Sequence, residues 1–357
     1  KGREKRSKQD NWKRLMTITS QKELQVGGVS IAPGKRKQIE IPVAKLFDYT
    51  EMTIPVEVIR GKEDGPTLFV SAAIHGDEIN GVETIKRLLA RKKTLAKIKG
   101  TLIAVPIVNV FGFNRNIRYL PDRRDLNRCF PGSDLGSLAG QLAHIFMSEV
   151  VTKCTHGIDL HTAAIHRNNL PQIRACLNDP ETERLAMAFG VPVVIDSNIR
   201  DGSLRQAAAD NGIPMLLFEG GEALRHDEKV INSSLRGILS VMQAIGMIAG
   251  KGVSLSQQKK EAFIAKSSYW VRAPHSGSLR VSKQIGERVK KNELLGVLSD
   301  PFGGGRVEVR ARSTGIIIGI VTLPLVSSGD ALFHIATFED AKEVGDRVEE
   351  FDGFIEN

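Results

Sequence analysis

Apolar stretches alternate with amphipathic ones along most of the chain. Just after Met52, two β-type runs, TIPVEVIRG and PTLFVSAAI, are joined by KEDG, a pattern that predicts a hairpin whose second strand is internal. Further on, the periodicity predicts strands at 101–108, 157–161, 172–177, 191–196 and 214–219, and helices near 80–92, 135–152, 179–189, 204–210 and 225–246. Apolar strands between amphipathic helices favour an α/β fold, with a mostly parallel mixed sheet and helices on both faces, over residues 46–250.

Beyond residue 250 the helical periodicity ends at the polar stretch KGVSLSQQKK. Short Val/Ile/Leu runs punctuated by glycine then predict an all-β domain over 260–340, followed by a C-terminal tail at 341–357. The segment APHSGSL from Ala273 recurs in degenerate form as ARSTGII from Ala311, and two such halves should pack as a flattened β-sandwich. This pattern resembles the half-barrel fold of biotinyl/lipoyl domains. The hairpin between the halves, SDPFGGG, contains no lysine, so we expect a non-carrier domain.

Composition and charge exclude several classes of protein. With 41% hydrophobic and 25% charged residues, the chain has the balance of a soluble protein, and it lacks the roughly 18 continuous apolar residues of a membrane helix. Residues 1–45 begin with a basic segment that has no apolar core of a secretory signal. We predict an N-terminal extension there, partly disordered or forming edge strands, in a cytoplasmic protein. The net charge of +9 is dispersed and accompanies no nucleic-acid-binding motif, so we expect neither nucleic acid nor membrane as a partner.

Three residues of metal-ligand type fall at predicted strand ends. His75 and Glu78 belong to HGDE, where an apolar strand gives way to a helix, and His161 ends the later strand GIDLH. The carboxyl ends of parallel strands share the edge of a sheet at which sites form. Two imidazoles and one carboxylate leave the fourth position of a tetrahedral zinc ion to water, so we predict one Zn²⁺ per chain on these residues. Asp159 shares a strand face with His161 and is a candidate to orient its ring, with an acid paired elsewhere as the alternative.

Two further features place polar chemistry near the same edge. Glu219 closes an apolar run before Gly220 and Gly221, where a partly desolvated carboxylate would serve as a general base; an acid that caps the next loop is the alternative. The arginine-rich segment 114–132 has no clear period and ends in Pro-Gly, which predicts a long loop. Guanidinium groups bind carboxylates in a bidentate way and stabilise a developing oxyanion, although solvated charge is the ordinary role of a loop arginine.

Four motifs in order, HGDEINGVE, RYLPDRRDLNRCFPG, GIDLHTA and LLFEGG, resemble the succinylglutamate desuccinylase and aspartoacylase family, relatives of the zinc carboxypeptidases of the M14 superfamily. The resemblance covers about residues 65–250 and implies a zinc carboxypeptidase-like fold there. It implies zinc ligation by His75, Glu78 and His161, the residues already chosen from their positions. It also implies that Glu219 is the general base and proton shuttle.

The second motif carries the substrate-binding residues that the resemblance implies. Asn127 and Arg128 of DLNR would hold the substrate carboxylate, and Arg118 of the RY pair would polarise the scissile carbonyl. The residues that choose the acyl group and the amino acid lie outside the four motifs, in variable loops and near the C-terminal domain. The resemblance also implies a homodimer as the expected oligomeric state.

The leading functional hypothesis is zinc-dependent hydrolysis of the amide bond of an N-acyl amino acid, or of a similar small carboxylate-bearing amide. A metal-activated water would attack with a glutamate as general base. A metallocarboxypeptidase acting on short peptides is an alternative, because the same arginine clamp would hold a peptide C-terminus. A catalytically silent metal- or ligand-binding protein is a second alternative, in which the basic surface recruits an anionic partner.

Overall fold

The computed structural model describes residues 24–197, 201–249 and 262–356. Its strands are β1 (Leu24–Val26), β2 (Val29–Ile31), β3 (Arg36–Lys45), β4 (Glu51–Arg60), β5 (Glu63–Ala72), β6 (Lys99–Val105), β7 (His156–Ala163), β8 (Arg167–Ala175), β9 (Val193–Asp196), β10 (Met215–Glu222), β11 (Phe263–Ala265), β12 (Ser267–Arg272), β13 (Gly277–Val281), β14 (Arg288–Val289), β15 (Leu294–Ser299), β16 (Val307–Arg310), β17 (Gly315–Val321), β18 (Leu325–Val326) and β19 (Ala331–Thr337). Its α-helices are α1 (Asn80–Leu89), α2 (Lys92–Leu95), α3 (Val110–Asn114), α4 (Leu138–Glu149), α5 (Pro180–Phe189), α6 (Leu204–Asp210), α7 (Glu228–Ala244) and α8 (Ala341–Glu356).

The centre of the fold is a mixed sheet built around β5. This strand pairs in parallel with β6 on one side and with β7 on the other, and β10 continues the parallel set beside β7. The last six residues of β5 are all buried, so the predicted internal strand is confirmed. Beyond β10 lies the antiparallel strand β8, and beyond β6 lie the antiparallel strands β4 and β3. The carboxyl ends of β5, β7 and β10 therefore meet at one edge of the sheet.

Helices cover both faces of this sheet, as predicted. On one face α1, α5 and α7 bury side chains such as Ile85, Leu185 and Ile238 against the sheet. On the other face α4 and α6 bury Phe146 and Leu204 among others. Each fully buried aliphatic or aromatic side chain of this kind contributes about 1.5–3 kcal/mol to the stability of the fold. The site-bearing edge thus rests on two separate apolar layers.

The start of α5 shows how local sequence sets a boundary. Asp179 precedes the helix in an extended conformation, and its carboxylate accepts a hydrogen bond from the backbone N–H of Thr182 at 2.8 Å. Pro180 occupies the first turn, where its missing N–H leaves no bond unmade, and Gly190 ends the helix at a φ of 89°. The helix is therefore defined at both ends by short-range chemistry, with a capping contribution of about 1 kcal/mol.

The hairpin predicted for β4 and β5 is wrong, because β6 lies between these two strands. β6 pairs antiparallel with β4 and parallel with β5. Three glycines let the chains cross closely: a Cβ on Gly61 would lie 2.1 Å from the carbonyl oxygen of Ile98, and one on Gly100 would lie 2.0 Å from that of Pro66. A Cβ on Gly65 would lie 2.8 Å from the backbone nitrogen of Gly100. The short connection between β4 and β5 therefore packs closely against the start of β6, and it is not the turn of a two-stranded hairpin.

The C-terminal strands form all-β sheets, but one of them continues the central sheet. β17 pairs antiparallel with β8, so the edge of the α/β part extends through β17, β19 and β12. A second sheet has the order β16-β15-β13-β18. The internal repeat appears in the pairings, because β14 of the first half pairs with β17 and β18 of the second half pairs with β13. The resemblance to biotinyl/lipoyl domains and the predicted domain boundaries stay predictions.

Segments at both ends of the chain add to this framework. β3, inside the predicted N-terminal extension, pairs with β4 from Arg36 to Lys45 and forms an edge of the sheet. The predicted C-terminal tail contains helix α8, which packs Val344 and Val348 into the cluster that includes Ile316. Residues 1–23 and the predicted polar boundary at 251–260 lie outside the described residues. Among the helices that the structure describes, none has the length and apolar character needed to cross a membrane.

Candidate active site

The three predicted metal ligands come together at the carboxyl edge of the sheet. His75 and Glu78 lie between β5 and α1, and His161 lies in β7, which pairs with β5. One ligand atom from each residue lies within 4.8 Å of the others, and all three residues are buried. Within residues 24–197, 201–249 and 262–356, this is the group of His, Cys, Asp and Glu side chains that could hold a metal ion.

The Glu78 carboxylate lies between the two imidazole rings. The Nδ1 atom of His75 is 2.7 Å from Oε1, and the Nδ1 atom of His161 is 2.8 Å from Oε2. The backbone N–H of Thr162 also donates to Oε2, at 3.2 Å. Both rings therefore present the same nitrogen to the centre of the group, as two ligands of one ion would.

The outer nitrogen of each ring faces a second carboxylate. His75 Nε2 is 3.1 Å from Oδ1 of Asp125, and His161 Nε2 is 2.6 Å from Oδ2 of Asp159. Asp159 is fully buried and accepts a further hydrogen bond from the Ser71 hydroxyl at 2.7 Å. Carboxylates in this position orient ligand histidines and raise their basicity. Asp159 thus contacts the His161 ring, as its strand position suggested, and its other oxygen bonds to Ser71.

Charge and burial act in opposite directions on these groups. Burial acts to raise the pKa of Glu78, but the adjacent rings of His75 and His161 outweigh it and hold that pKa well below its usual range. Burial acts to lower the pKa of His161, yet the carboxylates of Asp159 and Glu78 outweigh it and raise that pKa well above its ordinary value. The Glu78 carboxylate is therefore ionised at neutral pH, as metal ligation requires.

Arg118 lies beside the group, and Asp125 joins the two. One terminal nitrogen of Arg118 donates to Oε1 of Glu78 at 3.2 Å, and the other donates to Oδ2 of Asp125 at 3.1 Å. Burial acts to raise the pKa of Asp125, but His75 and Arg118 outweigh it and hold that pKa well below its usual range. Asp125 belongs to the DLNR motif, yet the sequence argument assigned it no role. Asp125 comes just before a short 3-10 turn and accepts a hydrogen bond from the backbone N–H of Asn127. An aspartate at such a capping position was the one sequence feature that pointed to it.

Asn127 and Arg128 lie in that 3-10 turn, next to Asp125. The Asn127 side chain is buried, and its Oδ1 accepts the N–H of Leu204 at 2.9 Å. Arg128 is exposed, and one of its terminal nitrogens donates to the carbonyl of Asn127 at 2.5 Å. No carboxylate in the part of the chain that the structure describes forms an ion pair with Arg128. Its guanidinium is therefore available to an anionic ligand, on a turn that Asn127 fixes in place.

Glu219 lies next to His161, but not at the end of its strand. It pairs in register with His161 on β7 and with Gln172 on β8. The predicted turn at Gly220 and Gly221 is instead a register shift within β10, which continues to Glu222. Gly221 has a φ of 76°, and a Cβ there would lie 2.6 Å from Nδ2 of Asn80, so only glycine fits this close approach. Such bulges redirect side chains beside active sites.

Two side chains of β8 hold the Glu219 carboxylate. Asn169 Nδ2 donates to Oε2 at 2.6 Å, and Arg174 Nε lies 3.1 Å from Oε1. Sequence reasoning missed both residues, because NNLPQIRA is indistinguishable from any strand with mixed polarity. Their contribution depends on β8 lying beside β10, which no local pattern encodes.

Known proteins are similar to this chain over the residues that carry the site. The sequence model of the Succinylglutamate desuccinylase/Aspartoacylase catalytic domain matches residues 64–245. The N-alpha-acetyl-L-2,4-diaminobutyric acid deacetylase of Halomonas elongata is 26% identical over 293 residues, which are 79% of this chain and 85% of the relative.

Solved structures extend the similarity beyond the catalytic domain. A succinylglutamatedesuccinylase/aspartoacylase from Rhodobacter sphaeroides has a TM-score of 0.75 and 25% identity, over 85% of this chain and 96% of its own. The product-bound ectoine utilization protein EutE (DoeB) from Ruegeria pomeroyi has a TM-score of 0.75 and 23% identity, over 85% of this chain and 94% of its own. Both alignments cover more of the chain than the catalytic-domain match does, so the shared fold includes part of the remaining strands.

Proposed function

This chain belongs to the succinylglutamate desuccinylase/aspartoacylase family, and from that premise we propose that it hydrolyses the amide bond of an N-acyl amino acid with one zinc ion bound by His75, Glu78 and His161. The observation that carries the proposal is the buried group in which both imidazole Nδ1 atoms face one carboxylate. The relative from Halomonas elongata is named as the deacetylase of an N-acetylated amino acid, which supports the same substrate class.

The donor set fits zinc. Two histidine nitrogens and one carboxylate oxygen make three of four tetrahedral ligands, and the orienting acids Asp125 and Asp159 complete the arrangement found around such sites. When bound, zinc supplies a water of pKa about 7 and polarises a carbonyl oxygen.

The chain's own residues bind and orient the substrate. Arg128, exposed and without a protein carboxylate among the described residues, binds the substrate carboxylate, with Asn127 fixing the turn that carries it. Arg118 donates an N–H to the carbonyl oxygen of the scissile amide and stabilises the negative charge that develops there. Its second nitrogen stays bonded to Asp125, which keeps the guanidinium in place.

Proton transfer falls to Glu219. Its carboxylate accepts a proton from the attacking water as the new C–O bond forms. The same proton passes to the amide nitrogen as the C–N bond breaks, which releases a free amino acid and a carboxylic acid. The register of β10 against β7 supports this role, because it places Glu219 directly beside His161.

Hydrolysis assays on two substrate panels test the proposal. The zinc-loaded protein is incubated with N-acyl amino acids and, separately, with C-terminally free dipeptides, with and without a chelator. We expect release of free amino acid from the acyl panel that the chelator abolishes and that Glu219→Gln lowers by about 10²–10⁴-fold. Glu339→Gln, an exposed acid of the C-terminal part that pairs with Lys266, is the control.

The other outcomes decide against the proposal. Release from the dipeptides alone would identify a metallocarboxypeptidase. Silence on both panels from protein that holds one zinc per chain would favour a binding protein. Full activity of Glu219→Gln would remove Glu219 from the chemistry.

A further inference from the structure

Resting on the proposed function, we propose that Asn169 and Arg174 are positioning residues for Glu219 and that the C-terminal strand β17 sets Asn169 in place. The C-terminal strands then have a catalytic purpose. They fix the geometry of the general base, which belongs to the α/β part of the chain.

The first step is the grip on the carboxylate. Asn169 and Arg174 each face one oxygen of Glu219, at 2.6 Å and 3.1 Å. Both side chains come from β8, the antiparallel neighbour of β10, and Asn169 donates a hydrogen bond whereas Arg174 forms an ion pair. The hydrogen bond at one oxygen and the ion pair at the other restrain the plane of the carboxylate as well as its position, whereas a single hydrogen bond would leave the carboxylate free to rotate. The side chain of Asn169 is itself buried, so solvent does not compete for its amide.

The second step links Asn169 to the C-terminal strands. Asn169 pairs with Gly221 on β10 and with Gly319 on β17, so it lies between two glycines. A Cβ on Gly319 would lie 2.9 Å from Asn169 Oδ1 and 3.1 Å from the Cβ of His334. Real Cβ atoms essentially never come within 3.0 Å of such a neighbour, so the Asn169 amide packs against the bare backbone of β17.

A stacked pair supports β17 from behind. The rings of Trp270 on β12 and His334 on β19 are 4.5 Å apart and only 11° from parallel. Trp270 and Gly319 are both cross-strand partners of His334. Arg167, at the start of β8, lies over the Trp270 ring at 5.5 Å. Gly319 therefore has a rigid aromatic wall on one side and Asn169 on the other, so an added methyl group displaces the Asn169 amide most easily.

A second contact ties β17 to the strand that carries Glu219. Thr322, just after β17, donates its hydroxyl to Glu222 Oε1 at 3.1 Å, and its N–H donates to the carbonyl of His166 at 2.9 Å. His166 N–H donates to the same Glu222 oxygen at 3.0 Å. The register shift that follows Glu219 therefore has two links to the C-terminal strands. Asn169 connects Gly221 to β17, and Thr322 bonds to Glu222.

Two substitutions test the proposal from its two ends. Asn169→Asp keeps the shape and the oxygen against Gly319 but replaces the donor to Glu219 by an acceptor. Gly319→Ala alters a residue of the C-terminal strand β17 alone and leaves the sequence of β8 and β10 unchanged. Gly353→Ala, in α8 with no heavy atom within 4 Å of the added Cβ, is the matched control. For each zinc-loaded variant, kcat, KM and zinc content are measured, and the position of Glu219 is determined by crystallography.

We expect both variants to lower kcat by about 10–10²-fold, with KM changed less than about threefold and zinc content unchanged, because a displacement of about 1 Å in a catalytic group costs up to 10²-fold. Gly353→Ala should match the wild type. If Gly319→Ala does not fold, Asn169→Asp alone decides. A wild-type kcat in Asn169→Asp would overturn the proposal. So would a fall in kcat that is accompanied by a raised KM and a loss of zinc, because that combination indicates general disruption of the site.

The crystal structures separate this proposal from the proposed function. Should the wild type hydrolyse neither panel, the proposed function fails, and the Glu219 carboxylate is still expected to move in both variants. An unmoved carboxylate in Asn169→Asp would overturn the positioning role whatever the substrate.

Discussion

The candidate metal group and Glu219, the proposed general base, lie side by side at one sheet edge, yet they are held in different ways. His75 and His161 are oriented by Asp125 and Asp159, which belong to the same α/β part of the chain. Glu219 is held by β8, whose partner on the other side is the C-terminal strand β17. The candidate metal group therefore depends on residues within the motifs, whereas the position of the Glu219 carboxylate depends on how distant strands pack.

The largest effect is expected from removal of a ligand on the metal side. His161→Ala should lose zinc and lower kcat/KM by at least about 10³-fold, because two remaining ligands neither hold the ion nor acidify its water. Zinc content by elemental analysis and turnover are measured together. His275→Ala, at a half-buried histidine of the C-terminal part, is the control. Full zinc occupancy in His161→Ala would show that the ion binds elsewhere.

Arg118 contacts Glu78 and Asp125 on the metal side, but its proposed role is to bind the substrate carbonyl. Arg118→Met should lower kcat by about 10²–10³-fold, the cost of removing one oxyanion donor, while zinc stays bound. A loss of zinc in place of a loss of kcat would move Arg118 to the metal side of the comparison.

A smaller effect on metal affinity is expected from the orienting acid. Asp159→Asn keeps the shape next to His161 but loses the charge, and it should weaken zinc binding by about 10–10²-fold. Competition with a chelator of known affinity gives the dissociation constant. An unchanged constant would mean that the hydrogen bond at 2.6 Å does not orient the ligand.

The smallest effect concerns stability on the C-terminal side. Burial, and then the nearby Arg174 cation, lower the pKa of His334 to about 3. Between the ordinary value of about 6.5 and this value the unfolded chain binds a proton that the folded protein excludes, so stability is complete above pH 6.5 and falls as the pH drops toward 3. The slope from this residue is at most about 1.4 kcal/mol per pH unit.

His334→Phe keeps a ring against Trp270 and should flatten that slope. Unfolding is followed in denaturant between pH 7 and pH 4.5 for the wild type and the variant. Equal slopes in the two proteins would show that His334 takes up its proton in the folded state. Arg167, stacked over Trp270, is present in both proteins and its charge cancels in the comparison.

The sequence was sufficient where the candidate metal ligands lie in contiguous motifs. HGDE and GIDLH placed His75, Glu78 and His161 at strand ends, and the alternation of strands and helices gave the mixed sheet. It failed where non-local pairing decides: β6 separates β4 from β5, and β17 joins β8. Asn169 and Arg174 were missed for the same reason. The biotinyl/lipoyl resemblance, the homodimer and the cytoplasmic location remain predictions.

Titration of the metal-free protein with zinc, followed by hydrolysis of the N-acyl amino acid panel, tests whether this chain is a zinc-dependent amidohydrolase. We expect turnover to rise in proportion to added zinc and to stop rising at one equivalent per chain. No turnover at saturation, or turnover that is independent of added metal, would contradict it.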